Sequence, residues 1–140
     1  MPTTVYKICG HAPWREAERA GAFHGTADDY VPVGPCRSYV ERLRKAGKDV
    51  QITEYAGAHH AFDNPLLEET PTAFPTWQTA RLCTLVEETP GRIVNAETKQ
   101  AFSYADPCVE LGPHVAYNPT ALSQSTQAVK ELLGRIFKLN

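Results

Sequence analysis

The stretch Gly34-Pro35-Cys36-Arg37-Ser38-Tyr39-Val40-Glu41-Arg42-Leu43-Arg44-Lys45-Ala46-Gly47 and its continuation Lys48-Asp49-Val50-Gln51-Ile52-Thr53-Glu54-Tyr55 set a helix directly before a strand. Cys36, Val40, Leu43 and Ala46 recur at steps of four and three and share one helical face. Pro35 suits the first turn, Arg42, Arg44 and Lys45 meet the negative end of the helix dipole, and Gly47 supplies the left-handed residue that ends it. Val50 to Tyr55 is rich in β-branched residues, with Val50 and Ile52 on one face and Thr53 and Tyr55 on the other. Upstream, the apolar run Ala20 to His24 reads as a second strand closed by Gly25. Strand, helix, strand predicts a parallel βαβ unit, in which chemistry collects on the loops beyond the carboxyl ends of the strands. Loops 25–33 and 56–65 hold that position.

Further along, the reading predicts a surface loop from Pro65 to Pro75, a helix from about Thr76 to Glu88, and a small hairpin from Arg92–Val94 and Gln100–Tyr104. A last helix is capped by Asn118 with Pro119 in its first turn; Leu122, Val129, Leu132, Leu133, Ile136 and Phe137 keep helical spacing, so it should pack on the sheet. Residues 1–20 show neither clean alternation nor a helical stripe, which leaves 21–140 as the readable domain.

The 140 residues hold one domain at most. Lys+Arg 14 against Asp+Glu 16 gives no broad positive field for nucleic acid or an anionic membrane. No apolar run approaches a membrane span and Met1–Lys7 lacks the order of a secretory signal, so the expected compartment is the cytoplasm. Cys9, Cys36, Cys83 and Cys108 form no C-x-x-C pair and are expected as small buried hydrophobes, with little weight on a disulfide framework.

An acid at the end of the first strand and a histidine at the end of the second would meet above adjacent strands, which is the arrangement of a catalytic triad without its nucleophile. His24, Asp28, His59, His60 and Asp63 also gather at that end. Adjacent His59 and His60 cannot easily aim at one ion from an extended loop, and no H-x-H or H-E-x-x-H occurs, so no metal is expected. No glycine-rich phosphate loop follows either strand, so no cofactor is expected. Trp77 and Phe74 could line a substrate mouth, although aromatics at a helix start more often belong to a core.

The segments His24-Gly25-Thr26-Ala27-Asp28-Asp29-Tyr30-Val31-Pro32 and Tyr55-Ala56-Gly57-Ala58-His59-His60-Ala61-Phe62 resemble the dienelactone hydrolase family. Phe102-Ser103-Tyr104-Ala105-Asp106-Pro107-Cys108-Val109 and Val115-Ala116-Tyr117-Asn118-Pro119 are similar to the tail that larger bacterial members carry. The resemblance implies an α/β-hydrolase fold and a Cys or Ser nucleophile, an Asp and a His, in that chain order, acting on esters and lactones. By motif position the acid is Asp28, with Asp29 solvated or capping the following turn. The histidine is His60, two residues before the Phe, with His59 structural or at the rim.

The family's nucleophile motif, G-x-C-x-G or G-x-S-x-G, does not occur in the sequence. About fifty residues should separate the nucleophile from the acid, whereas 27 precede Asp28. Cys9, between Ile8 and Gly10, lacks the small neighbours of the elbow. The expectation is therefore the C-terminal part of an α/β-hydrolase fold, with few parallel strands, flanking helices and a C-terminal helix. Its substrate would be a small ester or lactone, and the chain alone would be inactive. The alternative is a non-catalytic interaction module that pairs the open edge of the strand from Ala20 with a partner or with itself, or with the missing N-terminal half.

Overall fold

The structure, a computed structural model, describes residues 4–6 and 19–139. The reading of residues 7–18, including Cys9, lies outside them. Strands β1 (Thr4–Tyr6), β2 (Arg19–Gly25), helix α1 (Val33–Lys45) and β3 (Asp49–Tyr55) open the order. Then come β4 (Thr72–Ala73), β5 (Gln78–Thr79), β6 (Leu85–Thr89), β7 (Arg92–Asn95), β8 (Glu110–Leu111), β9 (His114–Val115) and α2 (Pro119–Phe137).

β2 and β3 pair in parallel, in register from Arg19↔Asp49 to Gly25↔Tyr55. α1 covers one face because Val40 and Leu43 meet Val50 with Ala20, Ala22 and Ile52. Residues of opposite parity point the other way. There Tyr55 and Phe23 meet Ala121 of α2. The Asn118 side chain accepts from the Ala121 N–H, and Pro119 fills the first turn, so the cap read from the sequence is in place. Ala46, expected on the buried face of α1, is instead its exposed C-cap.

The helix expected over Thr76–Glu88 is absent. Gln78–Thr79 pairs antiparallel with Glu110–Leu111. Leu85–Thr89 is the centre of an antiparallel sheet in the order β1-β6-β7. Pro90-Gly91 is the hairpin turn between β6 and β7, with Gly91 at φ 82°. Pairing of Leu85–Thr89 with β1 and β7 thus places this stretch in a sheet rather than a helix. Arg92–Asn95 takes β6 as its main partner, and the expected hairpin with Gln100–Tyr104 survives as one bridge, Val94↔Ala101.

The cysteine expectation is also corrected. Cys83 is disulfide-bonded to Cys108, Cys36 is disulfide-bonded, and no described cysteine is free. Cys36 and Cys83 are as buried as the sequence suggested and Cys108 is partly buried, yet all three are oxidised. The Cys83–Cys108 bond sits in a separate apolar cluster with Ala80, Leu85, Ile93, Phe102 and Val109. No helix among the described residues is long and apolar enough to cross a membrane.

Candidate active site

The two loops beyond β2 and β3 are laced together by their backbones. Thr26 N–H donates to the Tyr55 carbonyl and Ala27 N–H to the Ala58 carbonyl, each at 3.0 Å. The Thr26 hydroxyl accepts from Gly57 N–H at 3.0 Å. The approach leaves no room for a side chain at Gly25, where a Cβ would lie 2.2 Å from the Ala58 carbonyl oxygen.

This lacing sets Asp28 against His60, 32 residues apart in sequence. The His60 Nδ1 lies 3.0 Å from Asp28 Oδ2. The other carboxylate oxygen, Oδ1, accepts from the N–H groups of Tyr30 at 2.9 Å and Val31 at 2.7 Å. Three donors thus hold the carboxylate, whose side chain is 8% exposed, while the imidazole is 34% exposed. With Nδ1–H directed at a carboxylate, the neutral ring presents a bare Nε2 as proton acceptor.

The histidine loop is secured from its far side too. His60 bridges Val115 in parallel. Ala116 N–H donates to the His60 carbonyl and Asn118 N–H to that of Phe62. Ala61, next to the imidazole, occupies the left-handed region at φ 58°. This turn aims Phe62 back at Tyr55, with ring centroids 5.3 Å apart.

The sequence suggested that Asp29 is solvated or caps the following turn; its half-buried carboxylate is instead fully paired, and the capping role falls to Asp28. Asp29 Oδ1 accepts from His114 N–H at 2.8 Å, and Oδ2 meets His114 Nδ1 at 2.8 Å and Arg81 Nη1 at 2.9 Å. Arg81 also donates to the Asp29 carbonyl and to Glu110. Burial works to raise the Asp29 pKa. The hydrogen bonds from His114, its charge and that of Arg81 outweigh burial and hold the carboxyl below its ordinary value. For Arg81, the hydrogen bond to Glu110 leads in raising the pKa. The Thr79 hydroxyl donates to the Tyr30 carbonyl at 2.7 Å, so the segment 79–114 grips the whole acid loop.

Arg81, Glu110 and His114 carried no local signal in the sequence, since each acts from a strand of two residues or beside one. His59 has a buried Nδ1 without a hydrogen-bond partner among the described residues, its ring 6.4 Å from that of His114. His24 keeps its Nδ1 at the Gly25 carbonyl. Among the described residues, no group of three His, Cys, Asp or Glu side chains is placed to hold a metal ion. Trp77 and Phe74 begin no helix; Trp77 is 41% exposed and its ring lies 5.8 Å from that of Tyr30.

A parallel strand pair with a buried acid on one loop and an imidazole on the next makes this an α/β unit with an acid–histidine pair beyond the strand ends. The dienelactone hydrolase family model matches residues 17–137, and the chain belongs to that family. No curated protein and no solved structure matches it.

Proposed function

We propose that the chain is the acid–histidine part of an α/β-hydrolase domain, over residues 21–140, that cleaves small carboxylic esters or lactones. The observation that carries this reading is the Asp28–His60 pair with its Nδ1 contact of 3.0 Å. His60 Nε2 takes the proton of a Cys or Ser nucleophile as it attacks the carbonyl carbon, then returns it to the leaving oxygen. Asp28 holds the tautomer and stabilises the imidazolium. The nucleophile and the oxyanion donors come from outside the described residues, because the His60 ring has no Ser or Cys hydrogen-bond partner among them.

The test is hydrolysis of p-nitrophenyl acetate. The 140-residue chain alone should give the background rate, unchanged by His60→Ala. The codons upstream of Met1 should encode G-x-[CS]-x-G, and the chain extended to include it should lose about 10³-fold or more in kcat on His60→Ala. A His60-dependent rate in the short chain, or a His60-independent one in the extended chain, would refute the proposal.

A second reading, a non-catalytic module, is favoured by the edge of β2, which pairs only with β3 among the described residues. Concentration-dependent assembly without esterase activity in either chain would support it. The Cys83–Cys108 bond supports an oxidising compartment over the reducing cytoplasm expected from free thiols. A thiol count on protein isolated from its own cell distinguishes the two.

A further inference from the structure

Beside the dyad, Tyr30 serves two neighbours. Its ring meets that of His60 edge-on, at a centroid distance of 4.7 Å and an interplanar angle of 76°, and it flanks Trp77 on another side. Phe74 packs against the indole at 4.3 Å. Tyr30, Trp77, Gln78 and Tyr104 line an open groove of about 320 Å³. Tyr104 is 54% exposed, and the Gln78 amide donates to its carbonyl, joining two walls of the groove. Large aromatics left open in a cluster mark a binding surface more often than isolated ones do. Among the described residues, no ionisable acid or base other than the tyrosines lines the groove. The guanidinium of Arg81, two residues past the Gln78–Thr79 strand, is already held by Asp29 and Glu110.

We infer that this groove binds a neutral aromatic ring carried on the alcohol half of the substrate. Uncharged π faces suit a flat, uncharged ring, and among the described residues no cation lines the groove to meet a carboxylate. The assignment to the alcohol half rests on the proposed hydrolase reading: the imidazole that protonates the leaving oxygen lies one ring away, so the group seated beside it is the one that leaves.

The test follows the Trp77 indole N–H signal by ¹H–¹⁵N NMR in the full chain, with Trp14→Phe removing the other indole. Benzyl alcohol should shift that signal saturably. Cyclohexylmethanol, without a π face, should bind about three- to tenfold more weakly, and benzoate, with the same ring on a carboxylate, about tenfold more weakly. Tyr104→Ala should weaken benzyl alcohol at least about threefold while the remaining amide signals stay in place. An unsaturable shift, equal binding of cyclohexylmethanol or benzoate, tighter binding of methyl β-glucoside, or an unaffected Tyr104→Ala variant would overturn the inference. A His60-independent rate in the extended enzyme would defeat the catalytic reading and its alcohol-half assignment but leave the ring site standing. Loss of the ring site would leave the dyad untouched.

Discussion

Asp29 and His114 are joined twice, backbone N–H to Oδ1 and ring Nδ1 to Oδ2, both at 2.8 Å, across 85 residues of sequence. The pair ties the acid loop to the segment that returns beneath the histidine loop. Asp29→Asn should lower stability by about 1–3 kcal/mol, because Arg81 loses a charged partner and an amide cannot accept all three bonds. Urea unfolding of the two proteins at pH 7 measures it.

The same carboxylate gives a pH dependence of known sign. Its folded pKa lies below the ordinary 3.8, so its contribution is fully present above the unfolded value and is lost as pH falls through the lower, folded one. Urea midpoints taken from pH 6 to pH 2 should fall below about pH 4, and the Asp29→Asn curve should be flatter in that window.

Gly25→Ala should be severe, since its Cβ would meet backbone rather than a side chain that can turn away. We expect a loss of at least about 1–3 kcal/mol and a shift of the His60 ring signals away from those of the Asp28-bonded imidazole. NMR titration of the ring protons reads the second effect.

Ala61→Gly should act in the opposite direction. Releasing an L-residue from φ 58° removes about 1 kcal/mol of strain, partly offset by the greater entropy of glycine in the unfolded chain. A thermal midpoint unchanged or raised by a few degrees is expected; a marked fall would show that the methyl group matters more than the strain.

Reduction of Cys83–Cys108, whose sequence separation is 25, should cost about 3 kcal/mol. Hydrogen exchange should then show amides 85–95 losing protection while 19–25 and 49–55 keep theirs.

Much of the dyad could be read in advance because its causes are local. The stripe of Val40 and Leu43, the alternation of Val50 to Tyr55 and the glycine at 25 each act within a few residues, and parallel pairing then brings the Asp28 and His60 loops together. The segment from Thr72 to Val115 obeys distant partners instead. Gln78–Thr79 is a strand only because Glu110–Leu111 lies beside it, and Leu85–Thr89 only because β1 and β7 flank it. The role of Asp29 was hidden for the same reason, since nothing near it announces His114. Thiols and disulfides look alike in sequence when no short spacing pairs them.

The Cα atoms of Cys83 and Cys108 lie 5.0 Å apart, little more than the 3.8 Å step between successive residues. Everything between them leaves the scaffold and comes back at nearly the same point. Such an excursion is tied at its neck: its turn at Pro90-Gly91 can lengthen while Arg81 and Glu110, just outside the neck, keep their places, whereas β6, which pairs with β1, and Tyr104, whose carbonyl accepts from Gln78, have to stay. The acid and histidine loops, both anchored outside that neck, would keep their places while the outer surface of the molecule changes.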